Sequence, residues 1–378
     1  MYGGGWGVVL PYLSAYYHVQ NTIVGLLFLA SALGYFLSAL AGGYLAQRLG
    51  LRWYLILGSA FFLAANLLIS VTPPFVAILL TRLLLGFGMA VIETGLNMFI
   101  TALPNNTAQL NYLHAFYGLG ALIGPLIASG MLALRWPWNL VNTVWAFFTL
   151  LLLIGFVALF RFQLPGEKAL RKETNTPSET NSLMTALKLP MVWLASLFLL
   201  FYVGIEVSLG NWSYSFLVVQ RHAAALLSGW IVSGYWLGLT LGRFVLNNLA
   251  ERLRLGISGM MYSCIAGIML GVLLIWLVPG QVSDVLGFTL IGFCLGPIYP
   301  TTVALLPRLV PSHVVGNAIG LLIGISIIGI AIFPWLAGVL AQFTSLWSLL
   351  PYTLALAVIT LCLWVPIARR GATFSKMD

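Results

Sequence analysis

Residues 42–53 read GGYLAQRLGLRW, and the segment from Tyr44 to Leu49 returns as NLAERL at 248–253, an offset of 204. A second echo lies at nearly the same spacing: Gly5-Trp6 resembles Asn211-Trp212 at an offset of 206, and the glycine-rich fifth apolar run is matched by the eleventh. Self-similarity at a fixed long period marks a duplicated chain. Each copy of the motif sits between two apolar runs, so it reads as a tight turn, with Gly for the bend and Arg48 and Arg52 at a membrane surface.

The flanking composition carries this outward. Of 378 residues, 61% are hydrophobic and 7% charged, with a mean hydropathy of +1.02, which excludes a soluble domain. The apolar runs are about 17 to 26 residues long, enough to cross about 30 Å of hydrocarbon as helices, and they lack the period of two of a barrel strand. The expected fold is an all-α membrane protein of twelve transmembrane helices in two pseudo-symmetric six-helix halves. The spans are placed at 3–18, 22–46, 53–72, 75–102, 112–133, 138–160, 190–218, 225–248, 257–278, 284–306, 316–341 and 347–368. The polar stretch between Arg161 and Lys188 divides the chain into an N-terminal half (1–160), a linker (161–188), a C-terminal half (189–368) and a tail (369–378).

If both termini and the linker are cytoplasmic, nearly all Lys and Arg outside the spans lie inside and only Arg135 and Arg221 outside, as retention of basic residues on that face requires. The net charge of +9 is then explained by topology and anionic lipid headgroups, with no nucleic acid partner. A multi-pass protein of the plasma (inner) membrane is expected, monomeric, its partners being the bilayer and a small-molecule solute. Met1 to Gly7 carry neither a basic region nor a small-residue cleavage site, so no cleaved signal peptide is expected. Cys264, Cys294 and Cys362 lie in apolar spans without paired spacing, which argues for packing and against a disulfide or a metal site.

Polar residues inside the spans are the functional candidates. At 100° per residue Arg82, Gly86, Glu93 and Asn97 share one stripe of the fourth span. A carboxylate at bilayer depth costs at least about 3 kcal/mol, so Glu93 must face a bundle or a watery cavity, where it can bind solute, carry a proton or brace a neighbouring helix. In the opposite half Glu206 lies between Gly204 and Gly210, glycines that would let the helix bend or unwind. Asn211 and Trp212 follow, an amide for hydroxyls and an aromatic face for a sugar ring, though Trp212 also suits an interfacial belt. His114 and Tyr117 open the fifth span, where His114 either lines an inner gate or ends a helix. Tyr235, Trp236, Tyr299 and Thr301 are spaced as cavity walls or as packing, and Gly296, Pro297 and Pro300 make the tenth span the most interrupted. Arg82 and Arg243 either snorkel to a surface or pair with groups that separate as the halves rock.

These motifs carry a resemblance. The loop GGYLAQRLGLRW resembles the signature between the second and third helices of the major facilitator superfamily, with Gln47 in place of the usual Asp. LTRLLLGFGMA at 80–90 and GLGALIGP at 118–125 are similar to its fourth-helix Arg and Gly motif and its fifth-helix Gly-Pro motif. Within the superfamily, Glu93 to Asn97, Leu110 to His114, YVGIEVSLGNW at 202–212 and WLGLTLGR at 236–243 resemble the fucose permease and sodium-dependent glucose transporter group. The resemblance implies a secondary transporter of a small polar solute, a monosaccharide, working by alternating access. It implies a coupling or sugar-binding role for Glu93 and gating roles for Arg48, Arg52, Arg82 and Arg243. His114 stands where fucose permease has a glutamine, and Gly7 where the group has a first-helix Asp, which leaves open H+ coupling, Na+ coupling and uncoupled transport, with no other cofactor. No phosphate loop, metal spacing or nucleophile elbow points to an enzyme. The alternative within the superfamily is an exporter of drugs or metabolites, against which stands Ala128-Ser129 where the antiporter motif ends in glycines.

Overall fold

The computed structural model describes residues 1–101, 103, 106–160 and 184–374, with the side chains of 106–108, 110–112, 114, 115, 247, 248 and 371–374 excepted. The described chain is helical apart from its turns. Its α-helices are α1 (Tyr2–Tyr17), α2 (Asn21–Ser70), α3 (Phe75–Thr101), α4 (Asn106–Ala133), α5 (Leu140–Ala158), α6 (Pro190–Val219), α7 (Ala225–Arg252), α8 (Ile257–Leu277), α9 (Gln281–Leu295), α10 (Ile298–Leu309), α11 (Val315–Phe343) and α12 (Leu349–Phe374). Among the described residues, ten helical segments are long and apolar enough to cross a membrane. The count of twelve crossings follows because α2 holds two of them and the 16-residue α1 is a short further one. The loop expected at 47–52 shrinks to a single point: Gly50, at φ 75° and ψ 155°, is the non-helical position of the 50-residue α2. The tenth span is broken, as its Gly-Pro content suggests, between Leu295 and Ile298.

The duplication is written in the backbone. Left-handed residues occur at His18 (φ 53°) and His222 (φ 53°), and at Gly50 (φ 75°) and Arg254 (φ 55°), both pairs 204 apart. Packing repeats at the same offset. A Cβ on Gly34 of α2 would run into the Leu83 carbonyl of α3, and one on Gly238 of α7, the equivalent position of the repeat, into the Thr289 carbonyl of α9. Without a hydrophobic driving force in lipid, helices associate by such close backbone approach.

The halves touch at one end and part at the other. Gly25 of α2 packs on Trp335, Gly338 of α11 packs on the Asn21 carbonyl, and the Thr22 amide donates to Gln342 Oε1 at 3.0 Å. Gly43 lies about five turns beyond Gly25 on the same face of α2, and Gly320 about five turns before Gly338 on α11. A Cβ on either would meet nothing within 4 Å among the described residues, and Gly316 and Gly324 extend that bare stripe. On the opposite side, α4 and α7 stay together from Ser129 and Gly229 through Ser233, whose hydroxyl donates to the Leu122 carbonyl at 2.8 Å, to Gly118 and Thr240. The splayed end is the one where α5 finishes and α6 begins.

Overpacking at a close crossing costs about 1–3 kcal/mol. Gly86→Val, whose side chain would meet the Ser31 carbonyl, is expected to lower the thermal unfolding midpoint in detergent. Gly43→Val, facing open space, is expected to leave it unchanged, so equal behaviour of the two would contradict the crossing.

Candidate functional site

In the N-terminal half, α3 carries Glu93 to bilayer depth, about five turns from its first residue, Phe75. Tyr35 of α2 donates its hydroxyl to Glu93 Oε2 at 3.2 Å. Glu93 is exposed on the wall of the splayed opening, Asn97 is half-buried one turn on, and Tyr117 of α4 is 48% exposed. The His114 side chain lies outside the described residues.

In the C-terminal half the carboxylate is more closely held. Tyr202, one turn before Glu206 on α6, places its hydroxyl 2.6 Å from Glu206 Oε2 and 3.1 Å from the Leu295 carbonyl oxygen. Tyr235 of α7 donates to the Glu206 backbone carbonyl at 2.8 Å. Arg243 of α7 lies within electrostatic reach of Glu206, Tyr202 and Tyr117. Tyr299 of α10 has its ring centre 6.4 Å from that of Tyr202. Tyr117 and Tyr299 each lie within electrostatic reach of both Glu93 and Glu206, and Tyr35 within reach of Tyr117 and Tyr299. Two carboxylates, one guanidinium and several phenols from both halves thus form one network of groups within electrostatic reach. Such a network offers donors and acceptors in directed positions and has no nucleophile–base pair or phosphate cradle among the described residues.

Other expected residues are placed elsewhere. Trp212 is 2% exposed and gives its indole N–H to the Pro334 carbonyl at 2.8 Å, so it ties α6 to α11 and forms neither an interfacial belt nor a stacking face on the opening. Asn211 donates to the Val207 carbonyl of its own helix at 2.8 Å, beside Gly7 of α1. Trp236 is buried against Gly210. Gly204 and Gly210 do not unwind their helix: α6 runs unbroken, and the two glycines admit Phe333 and Trp236.

Arg82 does not snorkel. It is 4% exposed, its guanidinium lies 4.1 Å from the Trp6 ring centre and 5.5 Å from that of Tyr2, and cation–π attraction replaces the carboxylate or carbonyl partner expected for it. Arg243 is drawn into the cluster instead of reaching a surface. Arg48 sits over Tyr44 of its own helix, and Arg52 donates to the Val157 carbonyl at 2.6 Å, so both turn to their own half.

Sequence reasoning missed Tyr35 and Tyr202. The second had a local signal, one turn before Glu206 on the same helix face; the first, far from Glu93 in the chain and on another helix, had none. It also missed the pair Arg221–Asp284, 3.3 Å apart with Asp284 buried, which braces the closed end of the C-terminal half.

The family model of the Major Facilitator Superfamily matches residues 1–322 and 214–376. The chain belongs to that superfamily. It is 24% identical to bypass of stop codon protein 6 of Saccharomyces cerevisiae over 391 residues, covering 96% of this chain and 76% of the relative. It is 23% identical to the glucose/mannose transporter GlcP of Bacillus subtilis over 336 residues, covering 88% and 82%. Its fold superposes on a crystal structure of a point mutant of the nucleoside transporter NupG with a TM-score of 0.80 at 14% identity, over 96% of each chain. A membrane transporter, not an enzyme, is therefore at hand, and the opening lies between the two halves of its fold.

The bare face of α11 yields a direct check. In a background lacking the three native cysteines, Gly320→Cys is expected to react with a hydrophilic maleimide at least about ten times faster than Gly338→Cys, which is packed against α2. Equal rates would mean that the halves are not splayed there.

Proposed function

We propose that this transporter moves a monosaccharide by alternating access, is held in the plasma membrane with its termini and linker cytoplasmic, and couples solute to protons through Glu93. One observation carries the reading: carboxylates and phenols of both halves lie within electrostatic reach of one another, Glu93 with Tyr35 and Tyr117 on one side, Glu206 with Tyr202, Tyr299 and Arg243 on the other. Directed acceptors and donors of this kind match sugar hydroxyls, and aromatic rings match the apolar face of a sugar. GlcP, named for glucose and mannose, adds support from outside the chain. With the basic residues inside, the splayed end faces the cytoplasm, so this is an inward-facing conformation. Reaction of Gly320→Cys with an impermeant reagent in inside-out vesicles, and not in right-side-out ones, is the matching expectation.

The two carboxylates divide the work. Glu206 accepts from Tyr202 at 2.6 Å and has Arg243 within electrostatic reach, whereas Glu93 has one phenol at 3.2 Å and no cation within such reach; neither acid is in an ion pair among the described residues. The less compensated carboxylate is the one suited to load a proton with the solute and release it.

Glu206→Gln keeps size but loses charge, and a lost charge-assisted hydrogen bond is worth about 1.5–3 kcal/mol, roughly ten- to a hundredfold in affinity. That loss is expected in thermal-shift titrations with D-glucose and D-mannose, in which a saturating ligand stabilises the wild type; unchanged affinity removes Glu206 from the site.

Glu93→Gln mimics the protonated form permanently. Uptake driven by a pH gradient is expected to collapse, while counterflow of labelled for unlabelled sugar persists, because exchange does not require the proton to leave. A variant that still accumulates sugar against its gradient, or wild-type uptake indifferent to the pH gradient, rules out the proton role.

A further inference from the structure

The Tyr202 hydroxyl has one proton and two acceptors within reach, Glu206 Oε2 at 2.6 Å and the Leu295 carbonyl oxygen at 3.1 Å. With a single proton, the hydroxyl serves one acceptor or the other. The ring is fully buried and cannot swing away.

The second acceptor belongs to the break in the tenth crossing. Leu295 is the last residue of α9, and α10 begins at Ile298. Pro297 and Pro300 have no N–H, so the carbonyls of Phe293 and Gly296 lack their helical donors and the two segments are held together less firmly than a continuous helix. The backbone of Gly296 rests on α7 where a Cβ would meet the Leu239 carbonyl and the Arg243 amide. Tyr299, which faces the opening, follows directly. One hydroxyl therefore stands between a carboxylate of the candidate site and the weakest point of a cavity-lining helix.

We infer that Tyr202 is a positioning residue that reports the state of Glu206 to the α9–α10 break, its hydroxyl bonding the carboxylate when that is free and the Leu295 carbonyl when the carboxylate is neutralised or taken by a solute hydroxyl. An ionised carboxylate is a stronger acceptor than a peptide carbonyl, so the empty site holds the proton on Glu206. Occupancy weakens that acceptor, the hydroxyl turns to Leu295, and the break gains a donor. The charged and titratable groups around it are Glu206 on α6, Arg243 and Tyr235 on α7, Tyr299 on α10, and Tyr117 and Glu93 across the opening. The inference rests on the reading of Glu206 as a binding group but names a different event.

The test needs no solute, so its failure is distinguishable from failure of the sugar reading. Hydrogen–deuterium exchange over residues 292–302 is compared in wild type, Tyr202→Phe, Glu206→Gln and the double variant. Glu206→Gln leaves a neutral amide, a weaker acceptor, and is expected to slow exchange about fivefold, the order of one hydrogen bond. In the Tyr202→Phe background it is expected to have no effect. The same slowing in both backgrounds, or none in either, overturns the link. If Tyr202→Phe fails to insert, 3-fluorotyrosine at position 202 keeps the ring and donates more strongly; a larger Glu206→Gln effect is then expected, and an unchanged one overturns the link. Separately, Glu206→Gln with unaltered affinity for D-glucose and D-mannose removes Glu206 from the binding site whatever the exchange shows.

Discussion

A carboxylate at bilayer depth has no solvent of its own, and what answers its charge decides how the neighbouring helices are arranged. Helices satisfy their own backbones in hydrocarbon, so the polar requirement falls on side chains. Around Glu206 it is met by the Tyr202 hydroxyl, and Tyr235 fixes the backbone from which the carboxylate projects. Those contacts join α6, α7 and the end of α9 at one point. The same junction holds the Gly296–Pro297 interruption, a defect that would be costly facing lipid and is tolerated where it lines a cavity.

Small residues set the rest. Gly34 and Gly238, equivalent positions of the repeat, let matching helix pairs cross at backbone contact in the two halves, so each half is a closely packed body. Between the halves the contacts are fewer and gather toward one end, where Gly25 meets Trp335 and Gly338 meets Asn21. Two bodies that are tight internally and joined at one rim can rock against each other without repacking their interiors, which is the mechanical requirement for exposing a central site to each side in turn.

The fold was legible because its signals are local or periodic: apolar run length, basic turns and a repeat at a constant offset. Glu93 and Glu206 stood out for the same reason, being acids inside apolar runs. What the sequence left unread depends on rotation about helix axes and on crossings between distant segments. Trp212 follows Asn211 in a stretch that suits sugar stacking, yet its ring turns to Pro334. Gly204 and Gly210 suggested a bend and instead admit large side chains from α11 and α7. Arg82 shares a stripe with Glu93, about three turns away, but aromatic rings of α1 cover it. Tyr35 completes the Glu93 site from another helix, and no spacing within either segment could pair them.

The two carboxylates sit on opposite halves, but the duplication did not make them equivalent. Subtracting 204 from Glu206 leads to Tyr2, and adding 204 to Glu93 leads to Pro297. Neither has a counterpart in the repeat, so the acids were placed independently on a symmetric frame. Their surroundings differ accordingly: Glu206 is half-buried with a hydroxyl at 2.6 Å, and Glu93 is exposed with a single phenol at 3.2 Å. A symmetric frame supplies the rocking, and rocking alone treats both directions alike. A directional cycle needs a difference between the halves, and the unlike surroundings of Glu93 and Glu206 are one such difference.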